Sequence, residues 1–156
     1  MVKALVLAAV VWPVVLGGAV VLRAHDAAPA FVTAVYVATS RICHQKPGRS
    51  FHSDGVKWPV CGRCSGLYIG GAAGALVWLV LRRRPVSRLL VWLAVAAVPT
   101  ALTVVLEWTG LAGVGNLARA LAGIPLGAMV AVVIVRTAAG DRLEVRSSKF
   151  EVRSSK

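Results

Sequence analysis

Acidic side chains are scarce in this 156-residue chain, with six Asp and Glu against 18 Lys and Arg. Asp26, Asp54, Asp141, Glu144 and Glu151 all lie outside the strongly apolar segments. No pair of acids therefore sits inside a membrane to relay protons or ions, and Glu107 is left as the single intramembrane acid candidate. No glycine-rich phosphate loop of the P-loop or dinucleotide type occurs, nor a Gly-x-Ser-x-Gly elbow, nor a HExxH helix, which argues against nucleotide hydrolysis and serine-hydrolase chemistry. Aromatic residues make up 6% of the chain. The basic residues flank apolar runs instead of forming a face interleaved with aromatics, so the net charge of +12 suits anionic membrane lipid and not nucleic acid.

What is abundant is apolar surface. A hydrophobic fraction of 58% and a mean hydropathy of +0.75 rule out a water-soluble globule. Crossing a bilayer takes about 20 mostly apolar residues, and four stretches supply them: 2–22, 65–81, 89–108 and 117–135. The first is longer than the apolar run of a secretory signal and is followed by Arg23, so it reads as a retained helix. Phe31 to Thr39 is too short to span and fits a short amphipathic helix at the interface, leading into a polar loop from Arg41 to Val60. The expected fold is all-α: a four-transmembrane-helix bundle with a short interfacial helix and a Cys/His-rich loop between spans one and two. Residues 1–140 form a single integral membrane domain. Residues 141–156 contain the direct repeat Glu-Val-Arg-Ser-Ser-Lys, at Glu144 and again at Glu151, and read as a disordered basic tail.

Orientation follows from Lys and Arg beside the spans. Lys3, Arg82, Arg83, Arg84, Arg88 and the tail from Arg136 onward share one face and hold eleven of the 18 basic residues. That face is expected to be cytoplasmic, with both termini, and the Cys/His loop extracytoplasmic on a cell membrane. Trp78 and Trp92 bracket the triple-Arg turn, where indoles settle at headgroup level, and suggest a tight hairpin between spans two and three. Gly66, Gly70 and Gly74 recur at intervals of four, as do Gly123 and Gly127, a pattern that lets helix backbones approach closely in lipid.

The three cysteines fall within 22 positions. Cys61 and Cys64 form a CxxC pair where a helix begins, and Cys43 precedes His44. Three thiols and an imidazole make a tetrahedral donor set that suits zinc best and iron or copper less well. Adjacent residues rarely ligate one ion together, so His44 and His52 are equal candidates for the fourth position. Four such ligands leave no open position, as in a structural metal; with a position open, a metal-bound water or polarised substrate would make the site catalytic. The competing chemistry is thiol–disulfide exchange, because the helix N-terminus and Arg63 favour a thiolate in the CxxC pair. The plainest alternative is a structural Cys61–Cys64 disulfide, or thiols that only pack.

Span three ends, and span four begins, on the face that carries the cysteine loop. Glu107, Trp108, Asn116 and Arg119 are thus expected near Cys61 and Arg63. Catalytic candidates are Cys61, Cys64, Glu107 and Arg119; Arg49, Arg63, Asn116 and Arg119 are candidates for holding an anionic or lipid-soluble small molecule. An ion pair between Glu107 and Arg119 that simply pins the turn is the competing reading. His25 and Asp26 read as a solvated turn, and Tyr68 as a packing aromatic.

Cys43-His44-Gln45, then Arg49-Ser50-Phe51, then Cys61-Gly62-Arg63-Cys64-Ser65-Gly66-Leu67-Tyr68-Ile69-Gly70 resemble the prokaryotic membrane protein family catalogued as domain of unknown function 2085, whose hallmarks are CHQ, RSF and CxRCxGxYxG in that order. Pro99, Asn116, Arg119 and Gly123 are similar to a second segment of the same family. The resemblance covers about Cys43 to Gly127 and implies a polytopic membrane protein with a Cys/His cluster on one face, without an established reaction. The family pattern has an Asp where this chain has Thr103 and a Gln where it has Glu107, as if a carboxylate had moved by one helical turn. The CxxC at a helix start is also similar to that of four-helix, quinone-linked thiol oxidases, which implies quinone as the alternative cofactor; those enzymes usually use two cysteine pairs.

Overall fold

Lipid offers no partner for a free N–H or C=O, so an apolar run long enough to cross it closes its backbone hydrogen bonds within itself as a helix. In the computed structural model, which describes residues 1–81 and 88–140, the chain order is α1 (Val2–Ala24), α2 (Pro29–Ser40), β1 (Ser50–Ser53), β2 (Val56–Cys61), α3 (Gly62–Leu81), α4 (Leu89–Trp108) and α5 (Asn116–Ala138). Helices α1, α3, α4 and α5 are long and apolar enough to cross a membrane, and α2 is a shorter apolar helix. Pro13, Pro99 and Pro125 lie inside α1, α4 and α5, as spanning helices tolerate. The Thr100 hydroxyl of α4 donates to the Ala122 carbonyl at 2.7 Å and ties α4 to α5.

The helices lie side by side, with α3 packed against both α1 and α5, and α4 packed chiefly against α5. Glycine explains why α3 pairs most closely with α5 and not with α4, its neighbour in sequence. A Cβ at Gly62, Gly66, Gly70 or Gly74 would collide with the backbone carbonyls of Asn116, Ala120, Ile124 and Ala128 respectively, and one at Gly123 or Gly127 with those of Arg63 and Leu67. Glycine at every fourth position clears one full stripe of each helix, so the backbones meet and glycine Cα–H groups face carbonyl oxygens across the seam. Of the two tryptophans flanking the Arg82–Arg84 segment, Trp78 is buried with Val6, Ala75 and Val135, while Trp92 is exposed. The Arg82–Arg84 turn and the repeat-bearing tail lie outside the described residues.

At the end of the bundle where α1 finishes and α3 starts, the segment expected to be a plain polar loop contains a hairpin. β1 and β2 pair antiparallel, with Ser53 opposite Val56 and His52 opposite Lys57. Asp54 and Gly55 between them both have positive φ, the conformation a two-residue hairpin turn requires. The register then shifts before Ser50 meets Cys61, and this irregularity accommodates Pro59, which has no N–H to give a regular ladder. Leu16 and Ala19 of α1, Val35 of α2, Cys43 and Val60 form the buried cluster beneath the hairpin.

Candidate metal centre

Three segments bring the cysteines together. The chain leaves α2 with the Cys43 N–H donating to the Thr39 carbonyl at 2.9 Å, which turns Cys43 inward to 6% exposure. Gln45 follows with φ of 47°, a left-handed conformation held by its own side chain, whose Nε2 donates to the Tyr36 carbonyl and to Thr39 Oγ1, both at 2.8 Å. Lys57 Nζ donates to the Gln45 carbonyl at 2.8 Å and so ties this turn to the hairpin. Cys61 ends β2 and Cys64 lies in the first turn of α3, so the strand-to-helix junction sets both thiols on the side facing Cys43.

Among the described residues, the metal-capable group comprises Cys43, Cys61 and Cys64, whose sulfurs all lie within 4.8 Å of one another. All three are free thiols. A tetrahedral zinc with Zn–S bonds of about 2.3 Å holds its sulfurs roughly 3.8 Å apart, so the cluster needs to contract by less than about 1 Å to bind one ion. The Cys61 N–H already donates to Cys43 Sγ at 3.2 Å, the kind of outer hydrogen bond that orients a thiolate ligand. The Cys61 thiol is lowered to about 5, chiefly by the hydrogen bond from the Cys64 thiol and against the opposing effect of burial, with further help from the Cys64 and Arg63 backbone and from Cys43. A thiolate is the form that binds metal and also the form that attacks disulfides.

The two histidine candidates separate. His44 is exposed and lines the same cavity as the three thiols, whereas His52 sits on β1 opposite Lys57 and is not part of that lining. The cavity, of about 270 Å³, is also lined by Lys46, Arg49, Arg63 and Arg119. Behind it the expected convergence of spans three and four takes place: Glu107 of α4 meets Arg119 of α5, Arg63 of α3 at 3.6 Å and Arg49 of the turn before β1 at 3.7 Å. Arg119 also donates to Asn116 Oδ1 at 2.6 Å, and Asn116 Nδ2 donates to the Ser50 carbonyl at 2.9 Å, which fastens the hairpin to α5. Arg63 donates to Thr103 Oγ1 at 3.2 Å. Thr103 and Glu107, one turn apart on α4, therefore both face the Arg63 guanidinium.

Trp108 does not join this group and is 90% exposed. Tyr68 packs edge-on against Trp12 with ring centroids 6.2 Å apart, and His25 and Asp26 form an exposed turn. Sequence reasoning missed Lys46 as a cavity residue and Gln45 as the residue that fixes the Cys43 turn. The hairpin was legible in Asp54-Gly55 between Phe51-His52 and Val56-Lys57-Trp58.

A family model described as predicted membrane protein (DUF2085) matches residues 43–133, which span all three cysteines, the hairpin and α3 to most of α5. An uncharacterized protein of Methanothermobacter thermautotrophicus is 29% identical over 92 residues, covering 59% of this chain and 83% of that protein. An uncharacterized protein of Methanocaldococcus jannaschii is 41% identical over 49 residues, 31% of each chain. No solved structure matches.

Proposed function

This chain belongs to the DUF2085 family of predicted membrane proteins, and from that premise we propose that it is a multi-pass membrane protein holding one metal ion, zinc in preference to iron or copper, through Cys43, Cys61 and Cys64. The observation that carries the reading is the convergence of three sulfurs from three separate segments to within 4.8 Å. A structural disulfide needs two thiols and gives the third no reason to be there. His44, on the shared cavity, is the preferred fourth protein ligand, ahead of His52. The Lys and Arg distribution supports termini on the cytoplasmic side and the metal centre on the opposite face. Bound there, a metal supplies folding energy across the α2, hairpin and α3 junction and, where its fourth position is left to the cavity, a Lewis acid.

The test is metal content per chain, by elemental mass spectrometry on detergent-purified protein. About one zinc per chain, lost in the Cys61→Ser and Cys64→Ser variants, is expected. Metal-free protein with the thiols reduced would overturn the reading.

The lowered Cys61 thiol favours a second reading, a membrane thiol–disulfide oxidoreductase. A partner dithiol would reduce the Cys61–Cys64 disulfide and become a disulfide itself, and a quinone would take up the two electrons and two protons that restore the pair. Exchange with a thiol substrate, abolished by either Ser substitution without loss of fold, would support this reading over the first.

A further inference from the structure

Charge around the cavity is out of balance, and the imbalance is specific. Lys46, Arg49, Arg63 and Arg119 line it, while Glu107 is the carboxylate that the three arginines share. Arg63 and Arg119 keep only 19% and 11% of their side chains exposed, so solvent screens them weakly and their mutual repulsion is costly. Arg63 Nε is buried without a hydrogen-bond partner. Resting on the metal reading above, a divalent ion with three thiolates carries one net negative charge, Glu107 carries another, and the four cations leave a formal excess of two positive charges facing one small space.

We propose that this cavity binds a phosphate-class oxyanion between the thiol cluster and the cation ring. Such a dianion matches the residual charge, which a monocarboxylate would only half neutralise. Guanidinium groups arriving from the turn before β1, from α3 and from α5 suit a tetrahedral array of acceptor oxygens. The cavity is too small for a large substrate body, so the rest of any larger ligand must lie outside it, toward solvent or along the bilayer surface. The phosphate can be free or be the headgroup of a phosphomonoester lipid such as phosphatidic acid, because the site lies where spanning helices end.

The experiment uses the full chain, zinc-loaded, in a neutral detergent. Inorganic phosphate is titrated by calorimetry; in parallel the protein is placed in phosphatidylcholine nanodiscs with or without phosphatidic acid, and retained lipid is read by native mass spectrometry. Arg49→Gln tests the cation ring, since Arg49, at 47% exposed, is the least buried of the three arginines on Glu107; Arg41→Gln is the control, an exposed cation outside the cavity lining. Saturable phosphate binding weakened about tenfold by Arg49→Gln, with Arg41→Gln within about twofold, supports a free oxyanion. Selective retention of phosphatidic acid with the same variant dependence, and no response to inorganic phosphate, supports the headgroup. Zinc-bound protein that responds in neither arm, or equally in both variants, overturns the inference and leaves the metal reading standing. Protein that binds no zinc overturns the metal reading, and zinc content is measured before either titration so that the two failures stay distinct.

Discussion

Two regions of α3 are built on opposite principles. Along the face toward α5, Gly62, Gly66, Gly70 and Gly74 leave no room for even a methyl group, because the atoms opposite are backbone carbonyls that cannot turn aside. In the first turn, on the faces toward the hairpin and α4, Arg63 and Cys64 instead present polar and reactive groups to a cavity with space to spare. The seam is steric and tolerates no addition. The mouth is electrostatic and chemical, so a substitution there can spare the fold and still remove the function. Helix α4 lacks the glycine stripe and joins the mouth through Thr103 and Glu107: 11% of its most apolar stretch is buried, against 39% for α5.

The largest expected effect comes from breaking the seam. Gly66→Leu should cost roughly 3 kcal/mol or more, since α3 and α5 must separate, and should appear as aggregation in size-exclusion chromatography with loss of protease resistance. Gly17→Ala in α1, where no atom lies within 4 Å of the added carbon, should leave both unchanged; an equal loss in the two variants would remove the distinction between seam and surface. Next comes Glu107→Gln, which leaves three arginines without their shared carboxylate. A cost of roughly 3 kcal/mol, read as a lower unfolding temperature in detergent, is expected, and a variant as stable as the parent would mean that the cluster is balanced by other groups.

Cys43→Ala sharpens the mouth. With zinc bound, it should lower the unfolding temperature by several degrees, and a chelator should lower that of the parent alone. The smallest effect is local. In metal-free protein, alkylation of Cys61 should reach half its maximal rate near pH 5, against about 8.5 for an ordinary cysteine. Because the folded value lies below the unfolded one, the thiolate's contribution to stability is present above about pH 8.5 and is lost as pH falls through about 5. Half-maximal labelling near pH 8.5 would show that Cys64 and the helix start do not support the Cys61 thiolate.

The spans were legible because length and hydropathy act one residue at a time: residues 89–108 were placed to the residue, and α3 and α5 to within three at each end. The glycine seam was legible as a four-residue period, although Gly62 and the identity of the partner helix were not, since a period shows that a face is flat and not what lies against it. The partners of Trp78 were not legible for a related reason: an indole near a span end marks a position along the helix and not what packs on it, and only the packing of α1 supplies Val6 beside Val135. In the site, the CxxC spacing and the Glu107–Arg119 proximity were visible. The hairpin register, which carries Cys61 to Cys43, was not.

By itself, then, the sequence determined four spanning helices, a cysteine-bearing connection at one end and a shortage of acids that leaves Glu107 alone among cations, because hydropathy, spacing and charge are properties of the chain read in order. Tertiary structure decided that α3 lies against α5, that His44 and not His52 lines the cavity the thiols share, and that Lys46, Arg49, Arg63 and Arg119 surround that cavity. Those relations join residues as far apart as Lys46 and Arg119. They depend on backbone carbonyls meeting glycine stripes and on a shifted hairpin register, neither of which exists until the helices have packed.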